Sequence, residues 1–275
     1  MLQTHRFTLG KFECIVVNDG DTEYATADFL FNSAPKDMLE EKLKAYNLNP
    51  NKIKCCNNCL IVNTGDHLVL IDTGCGPYAT KYPGLEKTGN LFNSLKPLNI
   101  SPEDFDTVIL THVHGDHIWG ITTEQGNLTF PGAKHVMFKS DWDFGIQYDI
   151  TQETLKLVED HIQLLEGDTE IVQGIKIIAA HGHTPGHSIV SIHSEGEEML
   201  FTADMLVHPI HVESPDWTMS HEYDKEQAVQ NRRKVLKRAS LEKLLIHAFH
   251  LAFPGLGHIV PDNEGWKWQP IDLER

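Results

Sequence analysis

The sequence has little positive charge, no long apolar run and few cysteines. Lys and Arg number 23 against 39 Asp and Glu, a net charge of −16, which disfavours a phosphate backbone or an anionic membrane as partner. No apolar stretch approaches the roughly 20 residues that span a bilayer, and the stretch from Met1 to Arg6 lacks the pattern of a secretory signal. We therefore expect a cytoplasmic protein that binds neither nucleic acid nor a membrane.

The five cysteines are an odd number and do not fit a closed disulfide framework. Three of them, Cys55, Cys56 and Cys59, lie close together and lead directly into an apolar, strand-like run. A redox or metal-binding role is one hypothesis for this cluster, but no second cysteine pair lies at zinc-finger spacing. Reduced, buried structural thiols are the interpretation that we favour.

Histidine, in contrast, is abundant, with 17 residues, and neutral imidazole is the commonest transition-metal ligand near neutral pH. Potential ligands cluster at His112, His114, Asp116 and His117, directly after a short apolar run that is typical of a buried strand. Residues two apart in an extended segment face the same side, so the first two histidines can bind one ion. Gly115 allows a turn that directs the other two side chains toward a second ion. A solvated, histidine-rich loop is the alternative.

The order of predicted elements is strands, helix, strands, helices, then strands and helices again. This order fits two β/α halves whose sheets pack face to face with helices outside. No repeat, linker or low-complexity tract divides the chain, so we predict one domain over residues 1–275. The stretch from Gly76 to Gly89 lacks periodicity and is interpreted as a loop near the mouth of the site.

Two helices are predicted in the second half of the chain. Apolar side chains recur at helical spacing between Thr151 and Gly167 and predict one helix there. These side chains are Leu155, Val158, Ile162 and Leu165. Asp224 is predicted to cap a second helix that runs to about Arg238, with a basic face that is solvated or paired with the acidic surface. That face comprises Arg232, Arg233, Lys234, Lys237 and Arg238. The run 244–246 is the last predicted strand.

Further potential ligands follow later predicted strands, as they must, because four ligands in one loop cannot complete two metal sites. Three histidines lie in a Gly/Pro-rich turn after the run 175–180, one aspartate follows the apolar run 199–203, and two histidines follow the last predicted strand. These candidates are His181, His183, His187, Asp204, His247 and His250.

The motif H-x-H-x-D-H at 112–117, the turn G-H-T-P-G-H at 182–187, and the later Asp204 and His250 resemble the metallo-β-lactamase-fold hydrolase superfamily. Segments around Asp204 and from His250 to His258 look like the branch that contains methyl parathion hydrolase, of which N-acyl-homoserine lactonases are close relatives. The resemblance covers most of the chain. It implies a four-layer αββα sandwich, in which two packed β-sheets are flanked by helices.

The resemblance also implies a ligand set for two metals. The ligands of the first metal are His112, His114 and His183, those of the second are Asp116, His117 and His250, and Asp204 bridges the two metals. Two of these assignments have competitors within the same motifs. His181 and His187 are alternatives to His183 and could instead hydrogen-bond to ligands. His247 is the alternative to His250 and could instead be a core histidine.

Imidazole and carboxylate ligands without thiolate suit zinc, manganese, iron or cobalt, and we expect two zinc ions. Two ions that share a water lower its pKa toward roughly 7, which predicts a metal-bridging hydroxide as nucleophile. Asp116 is expected to orient this hydroxide or to transfer a proton to the leaving group. Asp72 ends a predicted strand and is expected to accept a hydrogen bond from a ligand imidazole, with a turn-stabilising role as its alternative.

The predicted enzyme is a metal-dependent hydrolase that cleaves a neutral, small-molecule ester, lactone or phosphotriester, since a polyanion suits the acidic chain poorly. Val207 stands where the lactonase branch has a Tyr, three residues after the bridging Asp, which argues against a dedicated acyl-homoserine lactonase. A mononuclear iron dioxygenase resembling persulfide dioxygenases and a non-catalytic, metal-stabilised interaction module are the alternative functions. A homodimer is a further hypothesis. Several aromatic residues are candidates for either the pocket or the core, namely Trp142, Phe144, Trp217, Trp266 and Trp268.

Overall fold

The computed structural model describes residues 3–263 and 265–273. Within them, the first of two seven-stranded sheets contains strands that neighbour one another in chain order. These strands are β1 (Gln3–Leu9), β2 (Phe12–Ala25), β3 (Ile53–Asn63), β4 (Leu68–Ile71), β5 (Thr107–Ile109), β6 (Lys134–Phe138) and β7 (Ile162–Leu165). The pairs from β1 to β4 are antiparallel and those from β4 to β7 are parallel.

The second sheet also follows chain order and is mostly antiparallel. Its strands are β8 (Thr169–Val172), β9 (Ile175–Ala179), β10 (Ser188–Ser194), β11 (Glu197–Phe201), β12 (Leu245–His247), β13 (Leu256–Asp262) and β14 (Gly265–Pro270). The pair β11 and β12 is parallel, because the chain between these strands leaves the sheet and returns through a helix. Strands β8 to β11 confirm the four strands predicted in this part of the chain.

The helices of the described residues lie in the connections between strands. They are α1 (Ala27–Leu30), α2 (Lys36–Ala45), α3 (Leu91–Leu95), α4 (Gly115–Ile118), α5 (Lys139–Gly145), α6 (Asp149–Lys156), α7 (Pro209–Glu213) and α8 (Lys225–Glu242). As predicted, Asp224 caps α8, because its side chain accepts a hydrogen bond from the Gln227 backbone N–H at 3.0 Å. None of these helices is long and apolar enough to cross a membrane.

One apolar core joins the two sheets. Val16, Leu60 and Ile109 of the first sheet belong to the same buried cluster as Ile177 and Val190 of the second. Burial of one face of each sheet against the other is the main source of stability in such a sandwich. The predicted sandwich of two sheets with helices outside is therefore confirmed.

The predicted helix from Thr151 to Gly167 is wrong in its second half. Helix α6 ends at Lys156, and Ile162 and Leu165 belong to β7, which pairs in parallel with β6. Apolar residues three or four apart in a short run fit a helix, but they are also compatible with a strand end and a following turn. Pairing with the edge of the sheet decides the outcome here.

Two further differences lie in the last quarter of the chain. The run 244–246 does not supply the last strand, because β13 and β14 follow it and pair with each other. The basic face of α8 is not wholly solvated either, since Arg232 is 1 % exposed. Its neighbour Arg233 is exposed and pairs with Asp216, as expected of a surface ion pair.

All five cysteines are buried and free. Cys55, Cys56 and Cys59 lie on β3 inside the sheet, and burial raises the pKa of Cys56 to about 12. These thiols therefore agree with the structural role favoured for the cluster. The division into a single domain stays a prediction.

Candidate metal centre

The predicted ligands come together at one end of the sandwich. The loop after β5 carries those from His112 to His117 and continues into α4, while His183 lies in the turn between β9 and β10. Asp204 follows β11, and His250 follows β12. Both sheets therefore contribute side chains to one site, at the carboxyl ends of their strands.

The first group comprises His112, His114, His183 and Asp204. Each residue offers one potential ligand atom, and these four atoms all lie within 4.8 Å of one another. The Nδ1 atom of His114 is 3.0 Å from Nε2 of His112 and 2.9 Å from Nε2 of His183. The Oδ2 atom of Asp204 is 3.4 Å from the same nitrogen of His183. Three imidazole nitrogens and one carboxylate oxygen thus converge on a common point.

A second group comprises Asp116, His117 and His250. The Oδ2 atom of Asp116 is 3.5 Å from Nε2 of His250. The second carboxylate oxygen of Asp204, Oδ1, is 2.9 Å from Nε2 of His117 and 3.1 Å from Nε2 of His250. Asp204 therefore directs one oxygen toward each group, which is the arrangement that a bridging carboxylate requires. The two groups match the predicted partition, while ligation itself stays a prediction.

Two unsatisfied polar atoms show that the second group fits a metal ion. The Nε2 atom of His117 and the Oδ1 atom of Asp204 are fully buried and, among the described residues, make no hydrogen bond of acceptable geometry, although they lie 2.9 Å apart. A buried polar atom without a partner costs about 1–3 kcal/mol. A divalent cation between the atoms of the second group and Oδ1 of Asp204 would satisfy both atoms. In both groups, a donor set of imidazole and carboxylate without thiolate suits zinc and its neighbours.

Hydrogen bonds from Nδ1 of two histidines set the orientation of the rings, and with it the position of each Nε2 atom in the site. Nδ1 of His117 donates to Oδ2 of Asp72 at 2.7 Å, and Nδ1 of His250 donates to the carbonyl oxygen of Cys56 at 2.8 Å. With one proton assigned to Nδ1 by these bonds, each ring would present its Nε2 lone pair to a cation in the second group, which would take the place of a second proton. Asp72 also accepts a hydrogen bond from the Thr111 backbone N–H at 2.8 Å. Asp72 therefore makes the expected imidazole contact, and its other bonds hold the ligand loop at Thr111 rather than its own turn.

The electrostatic environment differs between the two groups. Burial lowers the pKa of His114 to about 3 and lowers the pKa values of His112 and His183 well below the usual range. Burial also acts to lower the pKa of His117, but the carboxylates around it outweigh burial and raise that pKa. The three histidines of the first group are therefore neutral, the form that binds a metal, whereas the carboxylates around the second group attract cations.

His187, a competitor of His183, contacts the backbone of Asp204. The Asp204 backbone N–H donates to Nε2 of His187 at 3.2 Å, and Nδ1 of the same ring donates to the carbonyl oxygen of Ala180 at 3.1 Å. The ring therefore positions Asp204. His181 lies outside both groups as well, with its Nδ1 atom 3.2 Å from the His187 carbonyl oxygen.

His247, the competitor of His250, is buried away from both groups. Its ring stacks on Phe201 with centroids 4.9 Å apart. Neither ring nitrogen has a hydrogen-bond partner among the described residues. His247 is thus a core histidine, as the alternative proposed, but its ring is not hydrogen-bonded as such a residue usually is. Burial lowers the pKa of His247 to about 3, which keeps the ring neutral.

Asp141 connects the two ligand loops and is not among the residues that the sequence analysis singled out. Its Oδ2 atom accepts a hydrogen bond from the Val113 backbone N–H at 2.6 Å, and its Oδ1 atom accepts one from the Gly186 N–H at 2.6 Å. Burial raises the pKa of this carboxyl to about 6. A single Asp after Ser140 gave no signal of this cross-sheet contact, because the partners are backbone atoms.

Two glycines of the motifs are required by close packing. A Cβ atom on Gly115 would lie 2.2 Å from the indole ring of Trp119. One on Gly182 would lie 2.3 Å from the backbone nitrogen of Ala228 in α8, and its φ is +133°. These glycines let the ligand loops pack directly against neighbouring elements.

The site opens into a pocket of about 480 Å³. Three site residues, His114, Asp116 and Asp204, form part of its lining. The remaining wall is mainly apolar and aromatic, and consists of Tyr24, Phe29, Tyr82, Pro83, Leu85, Gly115, Trp119 and His221. The predicted mouth loop thus supplies three of these residues. None of the five aromatic residues proposed from sequence lines this pocket, and Trp217 is instead buried in a separate cluster.

Residues 55–250 match the family model of the metallo-beta-lactamase superfamily. The chain therefore belongs to this superfamily, as its motifs predicted.

Curated relatives include an N-acyl homoserine lactonase of Bacillus thuringiensis, which is 23% identical over 207 residues that cover 70% of this chain and 80% of the relative. An atrochrysone carboxyl ACP thioesterase of Claviceps purpurea (strain 20.1) is 30% identical over 166 residues, which cover 60% of this chain and 45% of that protein.

Among solved structures, AidC, described as a dizinc quorum-quenching lactonase in complex with a product, is 27% identical with a TM-score of 0.91, and the match covers 100% of this chain and 99% of AidC. The hydrolase AbOPH matches with a TM-score of 0.87 at 24% identity over 100% of this chain and 99% of its own, which shows the fold alone. The αββα sandwich is thus the metallo-β-lactamase fold. The chain is a metal-dependent hydrolase that acts on ester bonds, as the sequence predicted.

Proposed function

We propose that the protein is a dinuclear metal lactonase that opens the ring ester of a neutral lactone with an apolar acyl substituent. The observation that carries this proposal is the pairing of two ligand groups, which share Asp204, with a pocket lined by aromatic side chains. The lactonases among the relatives support the same reaction class. The substrate is accordingly a small molecule.

The two groups would hold the metals through the seven predicted ligands. Bound there, two divalent cations, which we propose to be zinc, supply Lewis-acid chemistry and make hydroxide available as a nucleophile near neutral pH. The chain contributes the geometry. Hydrogen bonds to His117 and His250 fix the ligand tautomers, and the loops from both sheets hold the nitrogen and oxygen atoms around two points.

Asp116 has a second proposed role. Its carboxylate is part of the pocket lining, and one of its oxygens is 3.8 Å from His117 Nε2. From this position it can hold a proton and deliver it to the alcohol oxygen that leaves when the ester bond breaks. If Asp116→Asn kept both metals and full turnover, this role would be excluded.

The pocket wall favours an uncharged substrate with an apolar part. Phe29 and Tyr82 offer aromatic faces beside the site, and burial of an acyl chain there contributes about 25 cal/mol per Å² of apolar area. Val207 is 4 % exposed and belongs to a different buried cluster. It does not line the pocket, and the proposal rests instead on the ligand groups and on the residues of the pocket wall.

Two other functions make different predictions. A phosphotriesterase would use the same metal ligands but would need a pocket suited to a phosphotriester, so the substrate screen separates it from a lactonase. A mononuclear iron dioxygenase would need one ligand group, whereas this chain provides a second one in Asp116, His117 and His250. Metal analysis and oxygen consumption distinguish that function.

The test measures metals per chain and then compares N-hexanoyl homoserine lactone, an unsubstituted lactone, an aryl ester and a phosphotriester at matched metal loading. We expect two metals per chain and a kcat/KM on the acylated lactone at least about tenfold above the other substrates. Chelation should abolish turnover, and zinc or cobalt should restore it. A protein with two metals that cleaves the phosphotriester but opens neither lactone would contradict the proposal.

A further inference from the structure

His221 is a pocket residue outside both ligand groups. Its ring lies in the pocket wall, with its centroid 5.0 Å from that of His183 and 5.4 Å from that of His114. It is therefore next to the first ligand group without belonging to it. Tyr24 and Tyr82 also offer hydroxyl groups, but they are 46 % and 37 % exposed.

The ring of His221 is held by stacking on a neighbouring element. It lies against the ring of Phe29 in α1, with centroids 4.4 Å apart and planes 10° apart. The adjacent Ser220 backbone N–H donates to the Phe29 carbonyl oxygen at 2.9 Å. Phe29 therefore holds His221 in two ways. Its ring stacks on the imidazole, and its carbonyl oxygen binds the backbone of the adjacent residue.

The loop that carries His221 is also anchored on both sides. Glu222, the next residue, forms a buried ion pair with Arg232 of α8 at 2.6 Å, and both side chains are no more than 1 % exposed. The Tyr223 backbone N–H donates to the carbonyl oxygen of His183 at 3.1 Å. The loop is thus tied directly to a residue of the first ligand group. A side chain positioned in this way loses little entropy when it contacts a substrate.

The hydrogen bonds of His221 indicate where its proton lies. Nδ1 is buried and has no partner among the described residues. A buried N–H without an acceptor costs more than a buried lone pair that is only weakly solvated, so the neutral ring carries its proton on Nε2. The Nε2–H of the ring then has no hydrogen-bond acceptor among the described residues.

We infer that His221 contacts the substrate and that its Nε2–H donates a hydrogen bond to the carbonyl oxygen that gains negative charge when the ester is attacked. This inference rests on the proposed lactone hydrolysis. A neutral donor held in place before the reaction stabilises the developing charge without reorganisation. Because this interaction is stronger in the transition state than in the bound substrate, loss of the donor should lower kcat and leave KM nearly unchanged.

The test compares His221→Phe, which keeps an aromatic ring for stacking on Phe29 but has no donor, with His221→Gln, whose amide can place an N–H near the position of Nε2. Tyr223→Phe is the matched control, since its hydroxyl lies in the same loop but outside the pocket lining. All four proteins are loaded with metal and assayed with N-hexanoyl homoserine lactone, and their metal content and denaturation midpoints are measured.

We expect His221→Phe to keep two metals per chain and to lose roughly 100-fold in kcat, with KM changed by less than about threefold. His221→Gln should recover at least about tenfold of this loss, and Tyr223→Phe should match the unchanged protein.

Loss of metal from His221→Phe, a change in KM alone, full activity, or no recovery with Gln would each overturn the inference. Absence of lactone opening by the unchanged protein would instead overturn the proposed function, and this inference with it.

Discussion

Asp72 occupies a backbone conformation that most residues avoid, with φ at +59°. Aspartate tolerates this left-handed region because its side chain can hydrogen-bond locally. Here both carboxylate oxygens are used, since Thr111 donates through its backbone N–H and its hydroxyl, and His117 donates through Nδ1. The side chain is fully buried, so these bonds form in a low-dielectric environment where they are strong.

Replacement of this carboxylate should weaken one metal more than the other. In Asp72→Asn the charge that supports the His117 imidazole is lost, so the affinity of the second ligand group for metal should fall about 10- to 100-fold. The first group should be affected less, because its link to Asp72 is indirect and runs through the Thr111 hydroxyl, which is 3.2 Å from Nδ1 of His112. Competition with a chromophoric chelator measures both affinities.

Asp66→Asn provides a control, because Asp66 is exposed in the turn between β3 and β4. Equal affinities of both metals in Asp72→Asn and the unchanged protein would exclude the role of Asp72.

Sequence patterns identified ten ligand candidates because they lie in short motifs at strand ends, where His and Asp are unusual, and the family resemblance selected seven of them. They did not identify Asp141 or His221. Asp141 acts through backbone partners, and His221 is a lone histidine that precedes a helix, a position at which a surface residue is equally common. The aromatic pocket residues were also missed, because lining a cavity depends on packing between loops that sequence periodicity does not report.

Helix α8 buries one arginine of its basic face. Arg232 donates to the carbonyl oxygens of Met205, Pro215 and Trp217, each at 2.9 Å, and pairs with Glu222. The guanidinium group thereby holds together the segments before α8, including the loop next to the pocket. A planar group with five donors suits this task better than lysine would.

Removal of the charge on Glu222 should destabilise the protein strongly. Glu222→Gln leaves a buried guanidinium without its counter-charge, and we expect a loss of about 3 kcal/mol in the free energy of unfolding. Asp216→Asn removes the partner of the adjacent Arg233, but that pair is exposed and should cost less than about 1 kcal/mol. Urea denaturation of the two variants measures the difference. Equal losses would show that the buried pair has no special contribution.

The element boundaries show where periodicity is informative and where it is not. The start of helix α8 was predicted correctly, because a capping Asp precedes a long polar segment, but the helix continues to Glu242, past its predicted end at about Arg238. The strand β7 was assigned to a helix, because four apolar residues with spacing of three or four do not distinguish a helix from a short helix followed by a strand. The strands β13 and β14 were missed, since the residues around Gly257 and Gly265 interrupt a strand-like pattern.

The site joins the two halves of the molecule. The loop after β5 belongs to the first sheet, whereas His183, Asp204 and His250 follow strands of the second. Backbone hydrogen bonds reinforce this junction, since the N–H of Asn58 in β3 donates to the carbonyl oxygen of Phe249 at 3.0 Å. Bound metals would therefore cross-link the sheets, and only the folded chain can offer this set of ligands.

Metal removal should consequently lower the melting temperature. At free metal about a thousand times its Kd, binding adds roughly 4 kcal/mol to stability, which corresponds to a shift of roughly 10 °C for a chain of this size. Differential scanning calorimetry of the chelated and zinc-loaded protein measures the shift. His183→Ala should show a smaller shift, and His67→Ala, at an exposed histidine, should show the full one. An identical melting temperature with and without metal would contradict the cross-link.

The contact between Gly115 and Trp119 has an optical consequence. The indole lies against the glycine that separates His114 from Asp116. It also stacks on the rings of Tyr78 and Tyr82, with ring centroids 4.9 Å and 5.2 Å apart. Tyr82 lines the pocket and is partly exposed. Trp119 therefore places a fluorophore inside the wall of the site, so that its emission would respond to filling of the pocket without any label.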